Sequence, residues 1–191
     1  MQFGTCETAA HERAGVAIDP QDARSIVIVW HSMTGASRQL SVAVARGAAR
    51  ASGVGGSRPV ATTRVHARQV SIEQLLAASA FIFVAPENLG SMAGVMKAFF
   101  DRSYYPLLDR VQGRAYATIV AAGSDGNGAA RQIGRICQGW RLREATRPLI
   151  VLTNAQTPEQ ILAPKRVTDA DLAQAAEIGE ALAEGVGLGI Y

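Results

Sequence analysis

The sequence predicts an α/β fold: a three-layer, doubly wound domain with helices on both faces of a five-stranded parallel sheet. Three observations predict it. Short apolar runs recur at fairly even spacing along the chain. Several are apolar on consecutive residues, which suits strands covered on both faces and so a parallel sheet. Helical periodicity fills the gaps between them, giving the order βαβαβαβαβα with right-handed crossovers.

Residues 1–23 precede the first run; they are polar and read as a flexible lead or an arm reaching over a partner subunit, ahead of one domain over 24–191. The strands are expected at Ile26–Trp30, Val60–His66 (the weakest), Phe81–Ala85, Tyr116–Ala121 and Leu149–Thr153. Leu40, Val44 and Ala48 repeat every four residues on the first helix. Ile72, Leu75 and Leu76 mark a shorter helix behind Ser71, a residue type suited to an N-cap. Val95, Met96, Phe99 and Phe100 form the third stripe, Ile133, Ile136 and Trp140 the fourth. Leu172, Ala176, Ile178 and Leu182 form the last, opened by Thr168 and Asp171 at capping-box spacing. The Gly/Ser stretch 51–59 and the long stretch 154–167, with Pro158 and Pro164, read as connections.

With 191 residues, 48% hydrophobic and 18% charged, the chain has the composition of a globular protein that buries a real core. The net charge of +3 is small and scattered, which speaks against nucleic acid as the partner. Cys6 and Cys137 share no close spacing, so neither a disulfide framework nor a zinc site is expected, and a reducing, cytoplasmic setting fits. No apolar run reaches the ~20 residues of a membrane span, and no secretory signal is read in residues 1–23.

Ligands of open parallel sheets sit beyond the carboxyl ends of the strands, where the strand order reverses. In the order 2-1-3-4-5 the loops after strands one and three share that crevice, which brings His31–Arg38 beside Pro86–Gly94. The first loop suits a phosphate. A helix starting near Ser37–Gln39 offers unpaired N–H groups and the positive end of its dipole. Gly35 permits a turn that a Cβ resists, and Ser32, Thr34 and Ser37 each carry a hydroxyl that can donate. The other reading of the same hydroxyls is caps and turns with no ligand. In the second loop Gly90 and Gly94 allow a flat ligand to approach, with Leu89 and Met92 free to pack on it or to join the core. GxxxxGK[ST] is absent, which argues against an ATP- or GTP-splitting loop. Gly126-Asn127-Gly128-Ala129-Ala130-Arg131 is a partial dinucleotide fingerprint after the fourth strand, not the first.

These segments resemble a known family. "SMTGAS" resembles the phosphate loop of flavodoxin-like proteins. "PENLGSMAGVMKAFFDR" and "AAGSDGNGAARQI" resemble the corresponding segments of the flavin-dependent NAD(P)H:quinone oxidoreductases and NADPH-dependent FMN reductases of that fold. The resemblance implies FMN, with NAD(P)H as hydride donor and a quinone, a flavin or a similar small molecule as acceptor. It implies that Ser32, Thr34, Gly35, Ala36 and Ser37 hold the phosphate. Pro86, Glu87, Asn88, Leu89, Gly90 and Met92 would border the isoalloxazine, and Gly123, Ser124, Asp125 and Gly126 would close its other edge. The flavin carries the chemistry, so no catalytic side chain and no metal are expected. A homodimer or homotetramer follows by analogy. A flavodoxin-type electron carrier and a non-flavin binding or regulatory domain are the alternatives; carriers are usually acidic, and this chain is basic.

The histidines show no ligand spacing; His31 is open to a phosphate or substrate contact. Lys97 and Asp101 are spaced as a surface pair. Tyr104 and Tyr105, read as following the third helix, either pack locally in the loop or cover a neighbouring subunit's flavin. Arg131, Arg135, Arg141, Arg143 and Arg147 read as a solvated face, or as an attraction for the phosphates of NADPH.

Overall fold

The apolar runs become strands whose two faces are both covered. A computed structural model of the chain describes residues 24–191. The expected N-terminal lead lies outside the described residues. In chain order the elements are β1 (Arg24–Trp30), α1 (Ala36–Ala51), β2 (Val60–His66), α2 (Ile72–Ala77), β3 (Ala80–Asn88), β4 (Ser91–Met92) and α3 (Gly94–Leu107). They continue with β5 (Ala115–Ala122), α4 (Asn127–Gly139), β6 (Arg143–Glu144), β7 (Leu149–Leu152), α5 (Pro158–Leu162) and α6 (Asp169–Leu188).

The parallel sheet runs β2-β1-β3-β5, and the outer edge of β5 is shared by β6 at its start and β7 at its end. This is the expected class and order, with the fifth strand in two pieces. Successive residues alternate between the two cores. Val27, Val29, Phe81, Phe83 and Val120 pack with Leu75, Met96, Phe99 and Ile133 of α2, α3 and α4. Ile26, Ile28, Ile82, Val84 and Ile119 pack with Leu40, Val44, Leu182 and Val186 of α1 and α6. Burial on both faces is why the strands read as unbroken apolar runs.

Two glycines let α1 and α6 lie close. A Cβ on Gly47 would stand 1.9 Å from the Ala176 carbonyl oxygen, and one on Gly179 would stand 2.1 Å from that of Val44. The caps read from sequence form. Ser71 and Gln74 make a full capping box on α2. On α6, Thr168 Oγ1 accepts from Asp171 N at 3.1 Å, but the Asp171 carboxylate takes the Thr168 hydroxyl, so only half a box is made.

Three expectations need correcting. β3 does not stop at Pro86; it runs to Asn88 and turns into an antiparallel hairpin with β4. Pro86 is tolerated because Val84, two residues earlier, meets the end of β1. The missing N–H of Pro86 would face the same side, where β1 has already left the sheet. The stretch 154–167 is not a bare connection, since it contains α5 behind a Thr157–Gln160 capping box with Pro158 in the first turn. Tyr104 and Tyr105 lie inside α3, not after it.

Candidate functional site

The strand order brings the C-terminal ends of β1, β3, β5 and β7 together, and a cleft opens over them. Ser32, Thr34, Ala36 and Ser37 form one wall, Pro86, Glu87 and Asn88 the next, and Gly123 the third. Its cavity volume is about 100 Å³. That is room for a phosphate group, and any flat part of a larger ligand extends into the open mouth.

The first wall is built by a reversal at Gly35, whose φ of +98° is left-handed backbone that glycine adopts without strain. The turn is held by Ser32 Oγ, which accepts the Gly35 N–H at 3.0 Å. α1 starts one residue later, and its first N–H groups have no intrahelical acceptor. Ser37 sits in this turn, 1% exposed. Its hydroxyl has no hydrogen-bond partner within the protein; the same is true of Thr62, Ser103 and Thr118, but of these four only Ser37 lines the cleft. A phosphate monoester suits this cradle: it would accept from the orphaned Ser37 hydroxyl and from free N–H groups, at the favourable end of a helix dipole. The phosphate of FMN is such a group.

The second and third walls are clamped together. The Glu87 carboxylate accepts from Gly126 N at 2.8 Å and Ala129 N at 2.9 Å, so it caps α4. Gln132 Oε1 accepts from Met92 N at 3.0 Å and from the Ser91 hydroxyl at 2.8 Å. Gly128 lies so near the Gly90 carbonyl that a Cβ would be 2.0 Å from its oxygen. The partial dinucleotide fingerprint is therefore a packing device. Its helix N-terminus is occupied by Glu87.

Of the residues expected to meet a ligand, Ser32, Thr34, Ala36, Ser37, Pro86, Glu87, Asn88 and Gly123 line the cleft. The others are placed elsewhere. Gly35 shapes the turn behind the lining. Met92 is buried in the core with Met96 and Phe99 and is not among the residues that line the cleft. Gly126 is buried as the N-cap of α4. Leu89, Gly90, Ser124 and Asp125 are exposed at the rim, and the Asp125 carboxylate accepts from the Asn127 side-chain amide. Asp125 is thus already engaged by a neighbour on its own loop.

Sequence reasoning missed a fourth wall: Thr153, Ala155, Ile161, Leu162 and Lys165. Lys165 N donates to the Thr34 carbonyl at 2.7 Å, which ties this segment to the first loop. Two signals were available, namely one of only two lysines in the chain and the T-P-x-Q start of α5.

His31 follows β1 and meets His66 at the end of β2, with Nδ1 and Nε2 3.1 Å apart. Both titrate below the ordinary histidine range. Burial lowers His31 first, followed by His66 and Arg68; burial and then Arg68 lower His66. Lys97 and Asp101 form an exposed ion pair at 2.5 Å. Tyr104 stacks on Trp140 with ring centroids 6.0 Å apart, while Tyr105 is exposed. Arg141 pairs with Asp109 at 3.0 Å and Arg143 lies over the Tyr191 ring, so part of the arginine run is engaged locally. Cys137 is buried in the core, and burial pushes its thiol well above the usual range. Among the described residues no cluster of His, Cys, Asp and Glu could hold a metal ion, and no helix is long and apolar enough to cross a membrane.

An archaeal flavodoxin has the same fold at a TM-score of 0.67 and 18% identity, covering 85% of this chain and 98% of that one. A flavodoxin-type WrbA-like protein from Agrobacterium tumefaciens matches at 0.59 and 20% identity, covering 84% and 96%. The flavodiiron core of Flv1 from Synechocystis sp. PCC6803 matches at 0.66 and 17% identity; 86% of this chain is covered but only 36% of that one. None of the curated proteins matches the chain. The model of the NADPH-dependent FMN reductase family matches residues 59–144, from the start of β2 to β6. The chain has a flavodoxin-like fold, and over that span it is similar to the family its motifs resembled.

Proposed function

We propose that this chain is a flavin-dependent oxidoreductase that binds FMN in the cleft and passes a hydride from NAD(P)H to a quinone, a flavin or a similar small acceptor. One observation carries the reading: a buried, unpartnered hydroxyl, Ser37, in the first turn of α1, across the cleft from the Pro86–Asn88 segment. The family match over residues 59–144 supports the flavin and, by its name, NADPH. FMN, when bound, supplies hydride acceptance and return. The protein's part is to hold, orient and shield. Ser32, Thr34 and Ser37 with the α1 amides would fix the phosphate. The main chain of residues 86–90 and Gly123 would border the ring. Glu87, through its bonds to Gly126 and Ala129, keeps these two borders at a set separation. No side-chain acid or base is needed for a hydride step. As part of the same reading, the enzyme works in the cytoplasm as a homodimer or homotetramer.

The test begins with purified protein and its visible spectrum after FMN is added. Bound oxidised flavin that bleaches with NADPH or NADH and turns over with a quinone supports the enzyme. Bleaching only by a chemical reductant, with no turnover, favours a flavodoxin-type carrier. No FMN binding at micromolar concentration overturns the flavin reading and leaves a binding or regulatory domain of this fold.

A further inference from the structure

The segment from Thr153 to Val167 crosses the cleft from its far wall to its near one. At one end the Ala155 carbonyl oxygen lies 3.2 Å from where a Gly123 Cβ would stand. At the other end, Gln39 of α1 holds the chain with both ends of its amide. Nε2 donates to the Lys165 carbonyl at 2.7 Å and to the Gly35 carbonyl at 3.1 Å, and Oε1 accepts from Val167 N at 3.2 Å. Lys165 N closes the tie on the Thr34 carbonyl. The turn that cradles an anion and the segment above it are thus one hydrogen-bonded unit.

Lys165 lines the cleft with Ser32, Thr34 and Ser37. Its ammonium group is held in place by the carbonyls that end α5: Ala163 at 2.7 Å, Ile161 at 2.9 Å, and Gln160. No acidic side chain forms an ion pair with it among the described residues. All three of its N–H donors are taken by these carbonyls, so Lys165 brings to the cleft wall a fixed positive charge that would act on an anion through space and not by a direct hydrogen bond. Two apolar residues of the same segment, Ile161 and Leu162, are 51% and 72% exposed and also line the cleft.

We propose that residues 153–167 form a strap over the ligand phosphate, with Lys165 as its charge and Gln39 as its latch. The strap makes FMN a retained group, not a diffusible substrate. This rests on the flavin reading above and adds to it the sign, the residue and the kinetic consequence. A dianionic phosphate gains attraction from Lys165 that a neutral ribityl chain does not. Release of the ligand requires the Gln39 bonds to open.

Riboflavin separates the roles, because it carries the same ring without the phosphate. Titrations of wild type, Lys165→Met, Lys165→Arg and Gln39→Leu with FMN and with riboflavin, followed by fluorescence, give each affinity; dilution gives the release rate. Lys165→Met should weaken FMN about three- to ten-fold, the scale of one unit charge acting through space and partly screened, and leave riboflavin unchanged. Lys165→Arg should restore most of the loss. Gln39→Leu should speed FMN release by about ten-fold, as expected for losing a few neutral hydrogen bonds. Wild-type affinity for FMN, but not for riboflavin, should fall between about 0.05 and 0.5 M salt as the charge is screened; this holds even if a variant fails to fold. If Lys165→Met weakens both ligands equally, or if neither salt nor the substitution changes the preference for FMN, the charge assignment is wrong while the flavin reading stands. If Gln39→Leu releases FMN at the wild-type rate, the latch is wrong. If wild type binds neither ligand, the flavin reading itself fails.

Discussion

Ser37 separates a binding role from a folding role at a single atom. Removing a hydroxyl that makes a hydrogen bond costs stability; the Ser37 hydroxyl is buried at the cleft without a partner to lose. Ser37→Ala should therefore leave the melting temperature unchanged or slightly higher, because an unsatisfied buried group is removed. The same change should weaken FMN by roughly 1.5–3 kcal/mol, the loss of one hydrogen bond to a charged group. Calorimetric melting and an FMN titration on the same sample check both halves; a large drop in melting temperature with unchanged affinity contradicts the site. The His31–His66 pair makes a second prediction at this scale. In the folded chain both histidines are held below the ordinary histidine value of 6.5. The unfolded chain therefore binds more protons in that range, and stability rises with pH through it. Stability should be level above about pH 6.5 and fall below it, toward the lowered folded values. Urea midpoints measured along this range should show the slope in wild type and a shallower one in His66→Gln.

Elements show why some parts of the molecule were legible in the sequence and others not. The strands and the five main helices are repeated patterns, so each is supported by several residues at once. Ser71 and Thr168 announced their helices because a cap is a local arrangement. The β3–β4 hairpin was hidden, since Pro86 reads as an end and only the sheet reveals that its missing N–H had no partner to lose. Glu87 was read as a residue beside a ring, yet its carboxylate serves a helix that starts 40 residues later, at Asn127. That is a long-range fact no local pattern carries. Glu87→Ala should remove two bonds to a charged acceptor and destabilise the fold by roughly 1.5–3 kcal/mol, discounted because the group is partly exposed; denaturant unfolding measures it. The crossing of α1 on α6 makes an opposite-looking prediction. Gly→Ala inside a helix ordinarily stabilises by about 1 kcal/mol. At Gly47, where a Cβ would stand 1.9 Å from a backbone oxygen, neither helix can yield without shifting. Gly47→Ala should instead destabilise by roughly 1–3 kcal/mol, seen as a lower urea midpoint with an unchanged m-value.

At the scale of the whole molecule, the candidate site belongs to no single element. Its walls come from the ends of β1, β3, β5 and β7, and they meet only because the sheet puts β1 beside β3 and β3 beside β5. Strand order was legible because few orders suit five parallel strands with right-handed crossovers. The fourth wall was not, because the path of residues 153–167 back over Thr34 is set by Gln39, more than a hundred residues away along the chain. A ligand bridging these walls must bind the folded chain and not the unfolded one. At 100 times its dissociation constant, FMN should raise the stability of the whole domain by ~2.7 kcal/mol. For a domain of this size that corresponds to about 5–10 °C in melting temperature. The transition should stay single and sharp, because α1, the β3–β4 hairpin and the strap are all tied to the same sheet. Scanning calorimetry at increasing FMN concentrations checks this. A melting temperature that does not move with saturating FMN, or a ligand-sensitive step that melts apart from the rest, would mean that the walls do not act together on one ligand.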